Sequence, residues 1–203
     1  PRRLSVHQHG IGGADCAAYK AYGDLKGKTV TVYTSIVAPE DASHKESYKP
    51  FEQCTGATIK YEGSKEFEAQ LPVRVKGGNA PDIAYIPQPG LLNTLVSTTG
   101  KVVKAPQLVS DNVDKYFGKD WKAYGTVGGT FYAAPLGANV KSFVWYSPKT
   151  FKAKGYTVPK TWDEMMALTD KIVADDSKAK PWCVGFGSGD ATGWPGTDWL
   201  EDV

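Results

Sequence analysis

Hydrophobic and polar residues follow two spacings in the first half of the chain, and each spacing predicts a different element. Residues 29–34, 57–61 and 81–86 are short runs rich in β-branched and aromatic residues, which favour strands. Residues 64–75 instead place Phe67, Leu71 and Val75 four apart, on one face of a helix. Because consecutive strands joined through a helix run parallel, the pattern predicts an α/β fold with a parallel sheet.

Glycine, proline and the spacing of apolar residues define further helices. A helix over residues 40–54 contains Pro50, which should kink it, and Gly56 is suited to end it in the left-handed conformation. A short helix over residues 91–96 is expected to end near Gly100. Further along the chain, five apolar residues fit a single helical face: Val113, Tyr116, Phe117, Trp121 and Tyr124. An extended segment is expected over residues 130–146.

The C-terminal part of the chain carries a second helix signal. Thr161 and Glu164 have the spacing of a capping box, and an apolar stripe follows at Met165, Leu168 and Ile172. The Met pair of this helix is expected to be core. Thr197 resembles the N-cap of another helix, so the pattern predicts an element that is unfinished at the last residue.

Composition narrows the class of protein. The chain has 203 residues, 41% hydrophobic and 23% charged, which is typical of a globular protein. A net charge of +2, without a cluster of basic residues, gives no reason to expect nucleic acid as a partner. No run of eighteen apolar residues suggests a membrane span. Six Trp, eleven Tyr and seven Phe exceed ordinary aromatic content, and such rings either fill the core or line a sugar pocket.

Catalytic motifs are missing from the sequence. It contains no GxSxG, phosphate-binding loop, HExxH or Cys-x-x-Cys pattern, and His44 lies on a polar helix with no obvious partner. A glycosidase needs two facing carboxylates, which the sequence alone leaves open. No cofactor is expected, and His7 and His9 lie in a Gly-rich leader where a metal site is not the favoured interpretation. We therefore expect a binding protein rather than an enzyme.

Residues 51–90 carry a recognisable order of residues. The segment FEQCTGATIKYEGSKEFEAQLPVRVKGGNAPDIAYIPQPG resembles the first lobe of extracellular solute-binding proteins of bacterial ABC importers, in particular the α-glucoside and oligosaccharide branch. The resemblance runs from about residue 23 to the last residue and covers the first half of such a protein. It implies a type II periplasmic-binding-protein-like fold of two lobes joined by a hinge. Residues 1–22 would be a flexible tether, 23–138 lobe one, and 139–203 the hinge crossover and an incomplete lobe two.

The resemblance and the fold class together suggest a ligand site. In open α/β sheets ligands bind beyond the carboxyl ends of the strands, where this sequence places Ser35, Glu66 and Gln88. For Glu66 a solvated helix charge, and for Gln88 a simple turn residue, are equally reasonable interpretations before the family is considered. In the family's crossover and lobe-two loop, Asn139, Asp190 and Trp194 match the positions that contact ligand, with Trp194 as a stacking ring. Asp82, in contrast, is expected to cap backbone groups near its strand.

The cysteines suggest an oxidising compartment. Cys16 and Cys54 are placed so that a disulfide would tie the N-terminal segment to the first lobe, and Cys183 would remain free. A lipid-modified Cys16 is the alternative, although Gly13, Ala14 and Asp15 match a lipoprotein cleavage site poorly. We expect an extracellular protein, secreted or tethered to the outer face of the membrane.

The resulting hypothesis is a receptor that captures an α-glucoside-like carbohydrate and delivers it to the permease of an ABC importer. The alternatives are a receptor for another solute, such as a polyol or a sugar phosphate, and a carbohydrate-active enzyme. A sugar phosphate would require a cluster of arginines, and Arg74 alone does not form one. Exposed apolar surface on the 203-residue chain is a further expectation, because lobe two is barely begun.

Overall fold

A computed structural model describes residues 15–185 and 194–201. Contacts within the chain divide it into two units, Pro1–Ala138 and Asn139–Val203. The first unit contains a three-stranded parallel sheet in the order β2-β1-β3. Its strands are β1 (Thr29–Thr34), β2 (Thr58–Gly63) and β3 (Ile83–Tyr85). The prediction of a parallel α/β fold is therefore confirmed, and β1 has the predicted bounds.

Two helices connect these strands and cover opposite faces of the sheet. Helix α1 (Asp41–Thr55) includes Pro50 and ends at Gly56, whose φ of 76° is the predicted left-handed conformation. Helix α2 (Phe67–Lys76) follows β2 and ends at Gly77. Alternate residues of a strand point to opposite faces, so Tyr33 faces α2 while its neighbours Val32 and Thr34 face α1.

The core of the first unit lies on the α2 face. The predicted stripe of Phe67, Leu71 and Val75 is buried, with Phe67 fully so. The Phe67 ring packs 4.9 Å from the ring of Tyr33, measured between centroids. Helix α3 (Pro89–Thr99) completes this cluster with Leu91 and Leu95, and it ends at Gly100 as predicted.

The single helical face predicted after α3 is divided between two helices in the structure. The chain forms two short helices, α4 (Gln107–Tyr116) and α5 (Lys119–Tyr124), separated at Phe117 by extended backbone. Only Val113 of the predicted face is buried, whereas Tyr116, Phe117, Trp121 and Tyr124 are exposed. The break ends the continuous helix, but the rings of Phe117, Trp121 and Tyr124 still contact one another edge to face, with successive centroids 6.5 and 6.2 Å apart. A two-stranded ribbon follows, formed by β4 (Thr126–Val127) and β5 (Thr130–Phe131).

The second unit begins with a segment that carries exposed apolar side chains. Val140 and Trp145 are 79% and 87% exposed, and within the described residues no strand pairs with this segment. Only residues 130–131 of the predicted extended stretch 130–146 belong to a strand. The expectation of exposed apolar surface on this chain is met here.

Helices of the second unit follow that segment. They are α6 (Pro148–Lys154), α7 (Trp162–Asp175) and α8 (Trp194–Glu201). Thr161 caps α7 as predicted by accepting a hydrogen bond from the Glu164 N–H, whereas the Glu164 carboxylate accepts from Lys160 rather than from Thr161. The predicted stripe of α7 is half-buried. Helix α8 begins three residues before Thr197, so the N-cap prediction there is wrong.

The N-terminal segment is fastened to α1. Residues Cys16–Tyr22 form a 3-10 helix, and Cys16 is joined to Cys54 by a disulfide with Cα atoms 5.3 Å apart. The rings of Tyr19 and Tyr22 contact Phe51 edge to face. Cys183 is an exposed free thiol. Among the described helices, none combines the length and apolar character that crossing a membrane requires.

Candidate functional site

The three parallel strands of the first unit end side by side. Thr34 at the end of β1 pairs with Gly63 of β2 and with Tyr85 of β3. The loops that leave these three residues therefore start at one edge of the sheet. This carboxyl edge is where open α/β sheets bind ligands.

The loop after β1 is held from both sides. The Ile36 N–H donates to Thr34 Oγ1 at 3.1 Å, and the Ile36 carbonyl accepts from the Tyr61 hydroxyl at 2.8 Å. The Ser64 N–H donates to the Thr34 carbonyl at 2.9 Å, which joins the loop after β2 to the end of β1. Thr34 itself is fully buried. The backbone around Ser35 is thus fixed by partners from two strands.

Gly63 allows this arrangement because it has no side chain. A Cβ atom at this position would lie 2.3 Å from the Ile36 carbonyl oxygen, much closer than any real contact. Any other residue would push the two loops apart. The glycine is required here by the close approach of the backbones, as is common where a chain must pass near another group.

An aromatic cluster of His44, Tyr48, Tyr61 and Tyr85 packs α1 against the sheet beside this edge. The His44 ring lies 5.9 Å from the Tyr85 ring and 6.4 Å from the Tyr61 ring, measured between centroids, so it packs among aromatic side chains. The Tyr48 and Tyr85 hydroxyls share a short hydrogen bond. Burial raises the pKa of the Tyr48 and Tyr61 hydroxyls, so both remain protonated over the physiological range.

The structure brings three of the predicted ligand residues to the carboxyl edge. Ser35 directly follows β1 and is half-buried. Glu66 is exposed at the N-cap of α2, where its carboxylate makes no capping hydrogen bond. Gln88 is the N-cap of α3, and its side-chain oxygen accepts from the Leu91 N–H at 3.1 Å. The capping role of Gln88 leaves its amide NH2 group as the part that can donate to a ligand.

Two charged residues near these strands are already occupied by protein partners. Asp82 Oδ2 accepts from the Thr31 N–H and the Thr31 hydroxyl at 2.8 and 2.7 Å, which joins β1 to the start of β3 and holds the pKa of Asp82 below its usual value. The prediction of a structural Asp82 is confirmed. Arg74 makes a bidentate pair with Glu62 at 2.9 and 2.5 Å and stacks on the Tyr33 ring. Its guanidinium therefore already has a carboxylate partner.

The other predicted ligand residues belong to the second unit. Asn139 is its first residue and is exposed. Asp190 lies outside the described residues. Trp194 begins helix α8 rather than standing in a loop, and the structure describes only its backbone. These three assignments remain predictions.

Metal ligands do not gather in the part of the chain that the structure describes. Over residues 15–185 and 194–201, no three His, Cys, Asp or Glu side chains lie together as a metal site requires. His7 and His9 lie outside those residues.

Two shallow depressions of the first unit lie away from the carboxyl edge. One, of about 430 Å³, lies beside α5 and includes Lys119 and Lys122; the other, of about 630 Å³, lies beside the disulfide. Both are wide open, and neither contains a residue of the aromatic cluster.

Several residues of this edge were not identified from the sequence. Tyr61 and Gly63 lie on the same face of β2 two residues apart, and Gly63 is the last residue of its strand. A glycine at the end of a strand signals a bulge or a close backbone approach, and that signal was available. The partner of Tyr61, Ile36, lies 25 residues away and depends on strand register.

Residues 31–201 match the family described as bacterial extracellular solute-binding protein. Similar proteins include the osmoprotective compounds-binding protein GgtB of Synechocystis, 39% identical over 189 residues, which cover 93% of this chain and 44% of that protein. The alpha-glucosides-binding periplasmic protein AglE of Rhizobium meliloti is 39% identical over 196 residues, covering 94% of this chain and 42% of that protein.

Solved structures show the same fold. The GacH receptor of Streptomyces glaucescens superposes with a TM-score of 0.63 at 18% identity, over 76% of this chain and 40% of that chain. The maltotriose-binding protein of Thermus thermophilus gives a TM-score of 0.55 at 20% identity, over 70% of this chain and 36% of that one. The chain thus spans about two fifths of the length of the curated relatives it matches.

Proposed function

The chain belongs to the family of bacterial extracellular solute-binding proteins, and we propose that it is part of a receptor that captures an α-glucoside-like carbohydrate and delivers it to the permease of an ABC importer. The observation that supports the proposal is the carboxyl edge of the sheet, where three strands end side by side and the loops that carry Ser35, Glu66 and Gln88 begin. Two relatives support the class of ligand, since their names specify osmoprotective compounds and alpha-glucosides.

The chemistry of the edge suits a polyhydroxyl ligand. A sugar offers pairs of hydroxyl groups, each of which donates and accepts. The Glu66 carboxylate accepts from two hydroxyls, the Gln88 amide NH2 donates, and Ser35 does either. In the second unit we assign Asn139 and Asp190 to further hydroxyls and Trp194 to an apolar face of the sugar. Closure of two lobes about a hinge would bury such a ligand.

Among alternative solutes, a sugar phosphate is disfavoured by Arg74. Both of its outer nitrogens bind the Glu62 carboxylate, and its plane covers Tyr33. A polyol stays compatible with the edge because it presents the same hydroxyl groups without charge. An enzyme is disfavoured by the relatives, whose names describe binding proteins.

Location follows from the family. Its description is extracellular, and the Cys16–Cys54 disulfide fits an oxidising compartment. We propose that the protein acts outside the cytoplasmic membrane, secreted or tethered to its outer face.

Titration calorimetry of the full-length protein tests the ligand class. The panel should contain a disaccharide α-glucoside, maltotriose, sorbitol and glucose 6-phosphate. We expect binding of the α-glucoside, and binding of the phosphate alone would reject the proposal. Hydrolysis of a chromogenic α-glucoside would instead support the enzyme.

The Glu66→Gln variant tests the site. Loss of one charge-assisted hydrogen bond should weaken sugar binding by about 1.5–3 kcal/mol. Glu68→Gln, two residues along in the first turn of the same helix, is the matched control and should bind like the wild type. Equal affinities of all three proteins would remove Glu66 from the site.

A further inference from the structure

We propose that Tyr61, together with Gly63, is a positioning residue that sets the backbone of the ligand-binding loop at Ser35. This inference rests on the proposed function, since it assumes that Ser35 meets the solute. It concerns residues that do not themselves have to touch the solute. Their effect is transmitted through the Ile36 peptide.

The backbone of Ile36 is held by a hydrogen bond at its N–H and another at its carbonyl. Its carbonyl accepts from the Tyr61 hydroxyl, while its N–H donates to Thr34 Oγ1. Ser35 lies between Thr34, which is fully buried, and Ile36, which is bonded at both ends. A residue whose two neighbours are fixed has little freedom of its own backbone. Without the Tyr61 bond, the Ile36 carbonyl would lose the only partner that the described residues give it.

Gly63 leaves the space that the Ile36 carbonyl occupies. It stands two residues after Tyr61 on the same face of β2, where its missing Cβ lets the Ile36 carbonyl approach. The hydroxyl of Tyr61 therefore attracts the peptide and Gly63 gives it room. The two residues act on the same carbonyl oxygen.

Neighbouring side chains of α1 hold the Tyr61 ring in place. The ring is flanked by His44 and Tyr48 of α1, and the Lys45 ammonium lies 5.3 Å from its centroid. These contacts fix the ring, so that its hydroxyl has a defined direction. Burial raises the pKa of Tyr61, which keeps the hydroxyl a donor. A rigid donor of this kind is how surrounding residues orient groups that meet a ligand.

The experiment compares Tyr61→Phe with Tyr19→Phe in the full-length protein. Tyr61→Phe keeps the ring and removes the bond to Ile36, whereas Tyr19 is a half-buried tyrosine of the N-terminal 3-10 helix, away from the edge. Hydrogen exchange of the peptide covering residues 35–38 reports directly on the loop. Loss of one hydrogen bond should speed its exchange about fivefold. Affinity for the α-glucoside should fall by a similar factor, and Tyr19→Phe should change neither.

Gly63→Ala provides a second, independent perturbation. It should accelerate exchange of the same peptide and weaken binding more than Tyr61→Phe does, because the added Cβ displaces the Ile36 carbonyl. Gly118→Ala is its control, since a Cβ there meets nothing closer than Trp121 at 3.9 Å.

The outcomes separate positioning from other roles. A lower melting temperature of Tyr61→Phe with unchanged exchange at residues 35–38 and unchanged affinity would show a merely structural tyrosine. Weaker binding with unchanged exchange would show that Tyr61 touches the solute, and would overturn the proposal. If the wild type binds no sugar, the proposed function fails, while the exchange measurement still decides whether Tyr61 holds the loop.

Discussion

Replacing Phe67 with alanine tests whether the α2 face is the core of the first unit. The Phe67 side chain is fully buried between Tyr33 of β1, Leu71 of α2 and Leu91 of α3. Removing a buried phenyl ring loses its transfer free energy and leaves a cavity, and such changes cost about 3–5 kcal/mol. That is a large share of the roughly 5–15 kcal/mol by which a domain is stable.

Hydrogen exchange of the β1 amides is the most direct assay, because these amides belong to the first unit. If these amides exchange only when the first unit unfolds, Phe67→Ala should speed their exchange by about two to three and a half powers of ten. Phe117→Ala is the matched control, since the Phe117 ring is 42% exposed and leaves no comparable cavity. It should change the same rates by less than about tenfold.

Phe67→Leu keeps the measurement informative if the alanine variant fails to fold. It retains most of the apolar volume and should cost about 1–1.5 kcal/mol. The reasoning is refuted if Phe67→Ala and Phe117→Ala have equal effects on β1. The sheet would then be held by something other than the packing of α2.

Three further predictions concern the disulfide, an ion pair and the second unit. Reducing Cys16–Cys54, which are separated by 38 residues, should lower the free energy of unfolding by up to roughly 4 kcal/mol; a non-reduced digest that shows two free thiols would contradict the disulfide. The Arg74 guanidinium holds the pKa of Glu62 below its usual value, so the stabilisation from this carboxylate is present above its unfolded pKa of about 4.3 and disappears as the pH falls through the folded value. Because both side chains are partly exposed, Glu62→Gln should cost about 0.2–1 kcal/mol at pH 7 in urea unfolding, and the cost should shrink as the pH falls through the folded pKa of Glu62; a constant difference would show that the charge is not responsible. Trp194→Ala in the full-length protein should weaken sugar binding by roughly 1–3 kcal/mol with little change in melting temperature, and the reverse pattern would identify Trp194 as a core residue.

The sequence predicted those helices and strands whose capping residues and apolar spacing lie within a few residues of one another. The strand at residues 29–34, the stripe at Phe67, Leu71 and Val75, and the left-handed end of α1 at Gly56 all follow from backbone geometry and side-chain spacing. Spacing failed where the backbone changed direction. The extended residue Phe117 separates α4 from α5, and only Val113 of the predicted helical face is buried.

At the candidate site, too, some features could be predicted from the sequence and others depend on the tertiary structure. That Ser35, Glu66 and Gln88 follow the ends of adjacent strands could be predicted from the order of elements and the resemblance to a family, and their contact with a ligand stays a prediction. The sequence even predicted that Asp82 is structural, yet its partner Thr31 is 51 residues away. Tyr61 and Ile36, or His44 and Tyr85, are likewise brought together by the register of parallel strands and the crossing of α1. The sequence by itself therefore determined the elements with strong local signals, such as β1, the apolar stripe of α2 and the end of α1, whereas the tertiary structure alone decided which side chain each polar group meets, because long-range pairing depends on register and not on local spacing.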